Sequence, residues 1–444
     1  MLRRLSLGLI LIASSAVAQV PGKDRIQAVT LSNGMQVIVW EDRDIPNVAM
    51  YNWVRVGSRN EVPGITGLAH FFEHMMFNGT STHAPGEFDR ILEANGASNN
   101  AYTSNDVTVY QNWLPSVALE TIFELEADRL RNLSFDPQVI ESERGVVYSE
   151  RRLSVDDSQL GRLVEQVQAT AYLAHPYGNP TIGWPSDIES WSIDDLKTFF
   201  KRYYAPNNCT MILVGNLDPK RTIALARKYF EPIPSQPPPD PIRTVEPEQR
   251  GERRVSIVAE AQTPLLQFAY HAVAGSDPRL PALELLTRIL TDGDASRLHR
   301  SLVEERKIAI SADSQIESGF DPGIVWFFLT LPAGADTGAA EAAFDAELER
   351  VIATGVTQEE LDRARNQALA DFWRSLTTIN GKAQALGTYE VLRGGHARLF
   401  DAPKAYEAVT REQVQKLATE LLRKTNRTAG VLAAAHSSGV EGAE

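Results

Sequence analysis

The chain has 444 residues, 43% of them hydrophobic and 23% charged, and a formal net charge of −13. This is ordinary globular composition, long enough for two or three cores. The acidic balance and the absence of a basic stripe argue against nucleic acid as a partner. A single cysteine, Cys209, excludes an intrachain disulfide.

Met1-Leu2-Arg3-Arg4 is a short cationic start, Leu5 to Ser15 is apolar or small, and Ala16-Val17-Ala18 fits the small-x-small cleavage pattern. Residues 1–18 are therefore expected to be a secretory signal, with a mature chain from Gln19. No later apolar run reaches membrane-spanning length, so stable membrane insertion is not expected. Export without a disulfide suits a bacterial periplasm.

Ile26 to Trp40 reads as a hairpin, with Asn33-Gly34 supplying the positive backbone dihedrals of a tight turn. Val48 to Val56 is apolar on both alternating faces, which predicts a strand covered on both sides. From Thr66 to Phe77 the pattern becomes helical, with Leu68, Phe71, Phe72 and Met75 as apolar bulk. A second helix is predicted behind the Asp136-Pro137 cap and runs past Glu150. Cys209 opens the apolar run to Val214 and is expected in a buried strand.

Residues 233–250 are Pro-rich and predict an extended linker between a 19–232 unit and a 251–444 unit. The two units look related. Ser192 to Asp195 begins a helix leading to Asn208 and a strand; shifted by 218 residues, Thr410 to Gln413 begins a helix leading to Asn426 and Val431. Both starts match a capping box. The expected fold is α+β, as two homologous sheet-and-helix domains.

The chemistry concentrates in His70-Phe-Phe-Glu73-His74. Residues four apart share a helix face, so both imidazoles can reach one ion, and Glu73 projects beside it. Imidazole and carboxylate ligands favour Zn²⁺, and Glu73 is placed to take a proton from water. A third ligand is needed. Glu143 and Glu150 are two helical turns apart and face the same way, so one can bind the metal and the other orient a ligand.

The stretch Gly67 to Thr80 resembles the pitrilysin (insulinase) family of metallopeptidases, whose motif runs His-x-x-Glu-His. Asn100-Ala-Tyr-Thr-Ser104 with Asp106 and Tyr110, Glu143 to Glu150, His175-Pro-Tyr-Gly178 and Tyr203 to Asn208 are further matches. Within the family the chain is most similar to half-length members akin to mitochondrial processing peptidase subunits. The resemblance implies one Zn²⁺ per chain on His70, His74 and Glu150, with Glu73 as general base and Glu143 supporting. It implies a sheet edge, Ser98, Asn99, Asn100, Ala101, Tyr102 and Thr103, to which a peptide substrate adds as a strand. Phe77 is expected either to line a pocket by the scissile bond or to pack in the core.

The family's two α+β domains form half of a clam-shell, so a half-length chain implies a dimer. Active members also carry an Arg and a Tyr, seven apart, in the second half of the shell. Here the aligned positions hold Val303 and Ile310, which cannot donate a side-chain hydrogen bond. A homologous chain supplying the pair, in a heterodimer, is expected. A homodimer using Arg297 or Arg300 is the second choice. Glu284, Thr287 and Arg288 stand where a zinc motif would lie in the second unit, which is expected to bind no metal. The alternative to a peptidase is a non-catalytic assembly subunit of the same fold.

Overall fold

The first expected hairpin forms, but with a different turn. β1 (Ile26–Thr30) pairs antiparallel with β2 (Gln36–Glu41), and Thr30 faces Gln36. Between them only Gly34 takes a positive φ, of 88°. Asn33 is held by its side chain instead, which donates to the carbonyls of Phe230 and Ile233 at 2.7 and 3.0 Å. A loop from 31 to 35 needs the left-handed region at one residue only, and glycine occupies it without a Cβ penalty. The computed structural model describes residues 20–259 and 263–434, so the expected signal segment 1–18 lies outside them.

Four more strands complete the first sheet: β3 (Asn47–Val54), β4 (Ser98–Thr103), β5 (Thr108–Pro115) and β6 (Cys209–Gly215). Their order is β1-β2-β6-β3-β5-β4. β3 is central and buried along nearly its whole length, as its unbroken apolar run predicts. β4 is an edge strand, paired only with β5 among the described residues.

The second sheet holds β7 (Arg253–Ala259), β8 (Leu265–His271), β9 (Ser311–Glu317), β10 (Ile324–Thr330) and β11 (Arg427–Ala434). Its order, β7-β11-β8-β10-β9, repeats that of β2-β6-β3-β5-β4, including one parallel pair at the same place. The 218-residue offset also holds in atomic detail. Asn208 donates its amide to the carbonyls of Tyr203 and Arg55, and Asn426 donates to those of Leu421 and His271. The capping boxes at Ser192 and Thr410 are both formed.

The principal helices are α1 (Leu68–Met75), α2 (Pro137–Arg151), α3 (Gln159–Ala171), α4 (Ile193–Tyr203), α5 (Leu280–Thr291), α6 (Gln358–Ser375), α7 (Ile379–Val391) and α8 (Arg411–Leu421). α1, α2 and α4 cover one face of the first sheet, where Phe71, Phe72, Val147, Leu196 and Phe199 meet Val39, Met50 and Leu213.

The other face departs from the expectation of two separate cores. It is covered by α7, from the opposite half of the chain, with Ile379, Ala383 and Leu386 against Ile38, Trp53 and Ile212. Reciprocally, α3 lays Leu163 and Val167 on Trp326 and Leu432 of the second sheet. Each sheet is apolar on both faces and needs two layers, and each half exports the helix that the other lacks. A large side chain buried this way contributes about 1.5–3 kcal/mol. Approach is close: a Cβ on Gly387 of α7 would lie 2.2 Å from Trp53 Nε1, and one on Gly430 2.4 Å from Val167 Cγ2.

The Pro-rich segment has no regular structure but is tied down. The Glu246 carboxylate accepts from the N–H groups of Leu173, Ala174 and His175, and the Gln249 amide donates to the Arg427 carbonyl.

Candidate metal centre

α1 is shorter than the expected span because Gly67 turns left-handed, with φ 88°, and the helix begins after it. Its first donors are met by the buried Glu61, whose carboxylate accepts from the N–H groups of Gly67 and Ala69 at 2.7 Å each. An anion there satisfies orphan donors and faces the positive end of the helix. Phe71, Phe72 and Met75 bury one face of α1, which leaves His70, Glu73 and His74 on the other.

α2 starts as expected, with Asp136 accepting from the Gln138 N–H and Pro137 in the first turn. Arg144 donates to the carbonyls of Ile188 and Trp191, and Arg151 to Glu165 and the Gly183 carbonyl. These anchors turn Glu143 and Glu150 toward α1.

The site brings together three of the expected side chains. His70 Nε2 lies 3.7 Å from Glu150 Oε1, and His74 Nε2 lies 3.4 Å from Glu150 Oε2. The ligand atoms of His70, His74 and Glu150 all fall within 4.8 Å of one another. A tetrahedral ion with bonds of about 2.0–2.2 Å separates its ligand atoms by roughly 3.3–3.6 Å, so the donor set and its spacing suit Zn²⁺. Glu143 Oε1 sits 2.8 Å from His74 Nδ1, the position from which a carboxylate orients a metal-binding imidazole. His70 Nδ1 is buried and has no hydrogen-bond partner among the described residues.

The electrostatics of the cluster pull the two imidazoles apart. Burial and the neighbouring His74 push His70 down to about 4, against the pull of Glu150. Burial also works against a charge on His74, but Glu143 and Glu150 outweigh it and raise the ring to about 9. The hydrogen bond to His74 holds both Glu143 and Glu150 below the usual carboxylate range, with burial working the other way. Burial raises Glu73, and a 2.6 Å hydrogen bond from the Thr103 hydroxyl partly offsets this.

The expected substrate edge splits between two faces. Thr103 and Ala101 turn toward α1, Thr103 to Glu73 and Ala101 onto the core beneath the helix. Tyr102 turns the other way, packs edge-on against Trp53 and accepts from the Gln384 amide of α7 at 2.9 Å. Asn99 donates to Asp89, Asn100 is exposed and Ser98 is exposed at the strand's start. Phe77 lies against Phe88 and Tyr110 with the Arg129 guanidinium over its ring, so packing accounts for it.

Asn78 was missed from the sequence, although it stands one turn beyond His74. Its amide bridges the His74 carbonyl and Glu143 Oε2, at 3.2 and 2.8 Å. Glu61, Arg59 and Asp321 carry no spacing signal and were missed for that reason; Asp106 and Tyr177 stand in the matched stretches, but their contact with one another was not legible there. Arg59 donates to both aspartates and Tyr177 donates to Asp106, which bolts the β4–β5 turn to the β9–β10 turn.

In the second half, Glu284, Thr287 and Arg288 lie on α5. Glu284 accepts from Arg393 and Tyr406, and Arg288 pairs with Asp371 at 2.8 Å and with Asp292. Where the aligned stretch of the first half has an imidazole, the second has an ion-paired arginine. Val303 packs against the second core and Ile310 is exposed. Arg297 is buried and bound two-fold to Glu360, so it is not free to meet a substrate; Arg300 is exposed.

Glu143→Gln is expected to weaken zinc binding about 10–100-fold, because the His74 ring loses the carboxylate that orients it. Competition against a zinc-binding dye measures this directly. Unchanged affinity would remove Glu143 from the site.

Residues 37–184 match the family model described as insulinase (peptidase family M16), and residues 190–368 match that described as peptidase M16 inactive domain. The chain is 30% identical over 407 residues to zinc protease PqqE of Helicobacter pylori, covering 90% of this chain and 91% of that one. A crystal structure of a protease from Helicobacter pylori superposes with a TM-score of 0.88 at 29% identity, covering 92% and 99% of the two chains. The periplasmic protease PqqL from Escherichia coli shares the fold, with a TM-score of 0.77 at 20% identity, over 94% of this chain but 48% of that one. With both family models matched in tandem and a zinc protease 30% identical along 90% of this chain, the chain belongs to the insulinase (M16) family of zinc proteases.

Proposed function

We propose that this chain is a zinc-dependent endopeptidase acting on peptides or unfolded segments. The observation that carries the reading is the convergence of His70, His74 and Glu150 at ligand spacing with Glu73 beside them. Zn²⁺ held by those three side chains would supply a Lewis acid that activates water and polarises the scissile carbonyl. Glu73 takes the proton from the attacking water and returns it to the leaving amine. Burial raises Glu73, which brings its carboxylate nearer the basicity the task needs. Thr103 holds it in place.

The unpaired edge of β4 receives the peptide, with main-chain hydrogen bonds giving affinity and limited sequence selectivity. A homologous chain closes the chamber and contributes the Arg and Tyr that Val303 and Ile310 do not replace. A homodimer is the second choice, and Arg297 is spoken for within it. The length relation to PqqL, about half, supports a paired assembly. The two homologous units divide at 233–250. Residues 1–18 direct export, with the periplasm as destination. No described helix is long and apolar enough to cross a membrane.

The test is to isolate the native complex by size exclusion, identify every chain and measure its metal by mass spectrometry. One zinc per chain and peptide hydrolysis that a chelator stops and added Zn²⁺ restores are expected. A complex with no stoichiometric zinc would favour the non-catalytic assembly subunit.

A further inference from the structure

Glu150 is the most open of the three side chains at the metal centre. It is 44% exposed, against 12% for His70 and 21% for His74, so its place depends on where the end of α2 stands. The chain leaves α2 through a wide π-helical turn, Arg152–Asp156, and returns as α3. Turns of this kind are rare and gather at functional sites. Ser154 ties the turn to Glu150 by donating to its carbonyl at 2.8 Å. A Cβ on Gly161 of α3 would lie 2.0 Å from the Ser154 carbonyl oxygen, so α3 sits hard against the turn. Arg151, next to Glu150 in the chain, is buried. It donates to both carboxylate oxygens of Glu165 on α3, at 2.7 and 3.0 Å, and to the Gly183 carbonyl at 2.7 Å. A two-fold contact between arginine and carboxylate fixes direction as well as distance.

α3 is seated on the second half of the chain as firmly as on the first. Leu163 and Val167 have no exposed surface and lie on Trp326 and Leu432 of the second sheet. Glu165 stands between them in the chain and therefore about half a turn round the helix, on the side of Arg151. Arg253 of β7 donates to the carbonyls of Thr170 and Ala171 in the last turn of α3, where a cation is favoured. One helix thus joins the second sheet to the neighbour of a metal ligand. Ligand sets tolerate displacements of only about 0.5 Å before the metal geometry is lost. We infer that Glu165 is a positioning residue for the metal centre, carrying the seat of α3 on the second sheet through Arg151 to Glu150. This rests on the zinc site proposed above.

The experiment titrates zinc into the native complex, stripped by a chelator, in competition with a zinc-binding dye, and records the visible absorption of the Co²⁺-substituted site. Glu165→Gln keeps the shape of the side chain and removes the charge that holds Arg151. It is expected to weaken zinc binding about tenfold at unchanged stoichiometry, and to shift the Co²⁺ bands, whose position follows ligand geometry. Stoichiometry counts folded sites while affinity and band position read their geometry, so lost protein is not mistaken for a displaced ligand. Arg151→Met breaks the same clamp from the other side and is expected to act in the same sense. The double variant is expected to lose no more than Arg151→Met alone, because Glu165 acts through that side chain. Affinity and Co²⁺ bands unmoved by Glu165→Gln, or losses that add in the double variant, overturn the inference and leave the metal centre standing. An unaltered protein that takes up no zinc removes both.

Discussion

Glu73→Gln is expected to lower peptide hydrolysis by about 10²–10⁴-fold while the protein keeps its zinc. The amide keeps the shape of the carboxylate and can still meet the Thr103 hydroxyl, which lies 2.6 Å from Glu73 Oε2. It cannot accept a proton at neutral pH. The three proposed metal ligands are untouched, and Glu73 bonds to Thr103 rather than to any of them. Two measurements on the same preparation decide the matter, zinc by mass spectrometry and turnover of a quenched fluorescent peptide. Normal turnover would remove Glu73 as the base. Loss of zinc together with activity would place Glu73 among the ligands instead.

The largest expected effect on stability lies far from the metal. Arg427 opens β11 with no exposed surface and donates to Glu252, Asp345 and Glu341, the last two at 2.6 and 2.7 Å. Its guanidinium also lies over the Phe268 ring. Arg427→Met keeps the apolar stem but leaves a group of enclosed carboxylates without their shared cation. Removing one partner of a buried ion network costs about 3–5 kcal/mol. Lys424 on Asp345 and Arg254 on Glu341 retain part of the balance, which sets the expectation at the lower end of that range. A shift in the urea unfolding midpoint measures it. A change below about 1 kcal/mol would mean that the network is solvated and contributes little.

Arg427 also shows how the two repeats diverged. It stands at the 218-residue offset from Cys209, which is buried at the start of β6 among apolar neighbours. The backbone position is the same, but one repeat filled it with a thiol and the other with an arginine and its acids.

Much of the centre was legible because it is local. The spacing of His70, Glu73 and His74 sets a helix face wherever that helix packs, and the seven-residue step from Glu143 to Glu150 does the same on α2. The capping boxes at Ser192 and Thr410 needed only four residues each to be recognised. The turn at Asn33 was not legible in this way. Its dihedrals depend on carbonyls of Phe230 and Ile233, nearly two hundred residues away.

By itself the sequence determined which side chains can share a metal ion and that the α+β unit is repeated. Periodicity and capping act over a few residues, and their signals survive without any knowledge of the fold. Only the tertiary structure decided that α3 and α7 are exchanged between the halves and that Arg297 is committed to Glu360. These depend on which surfaces meet across hundreds of residues, where the burial of two-sided sheets and the cost of unpaired charge select the arrangement.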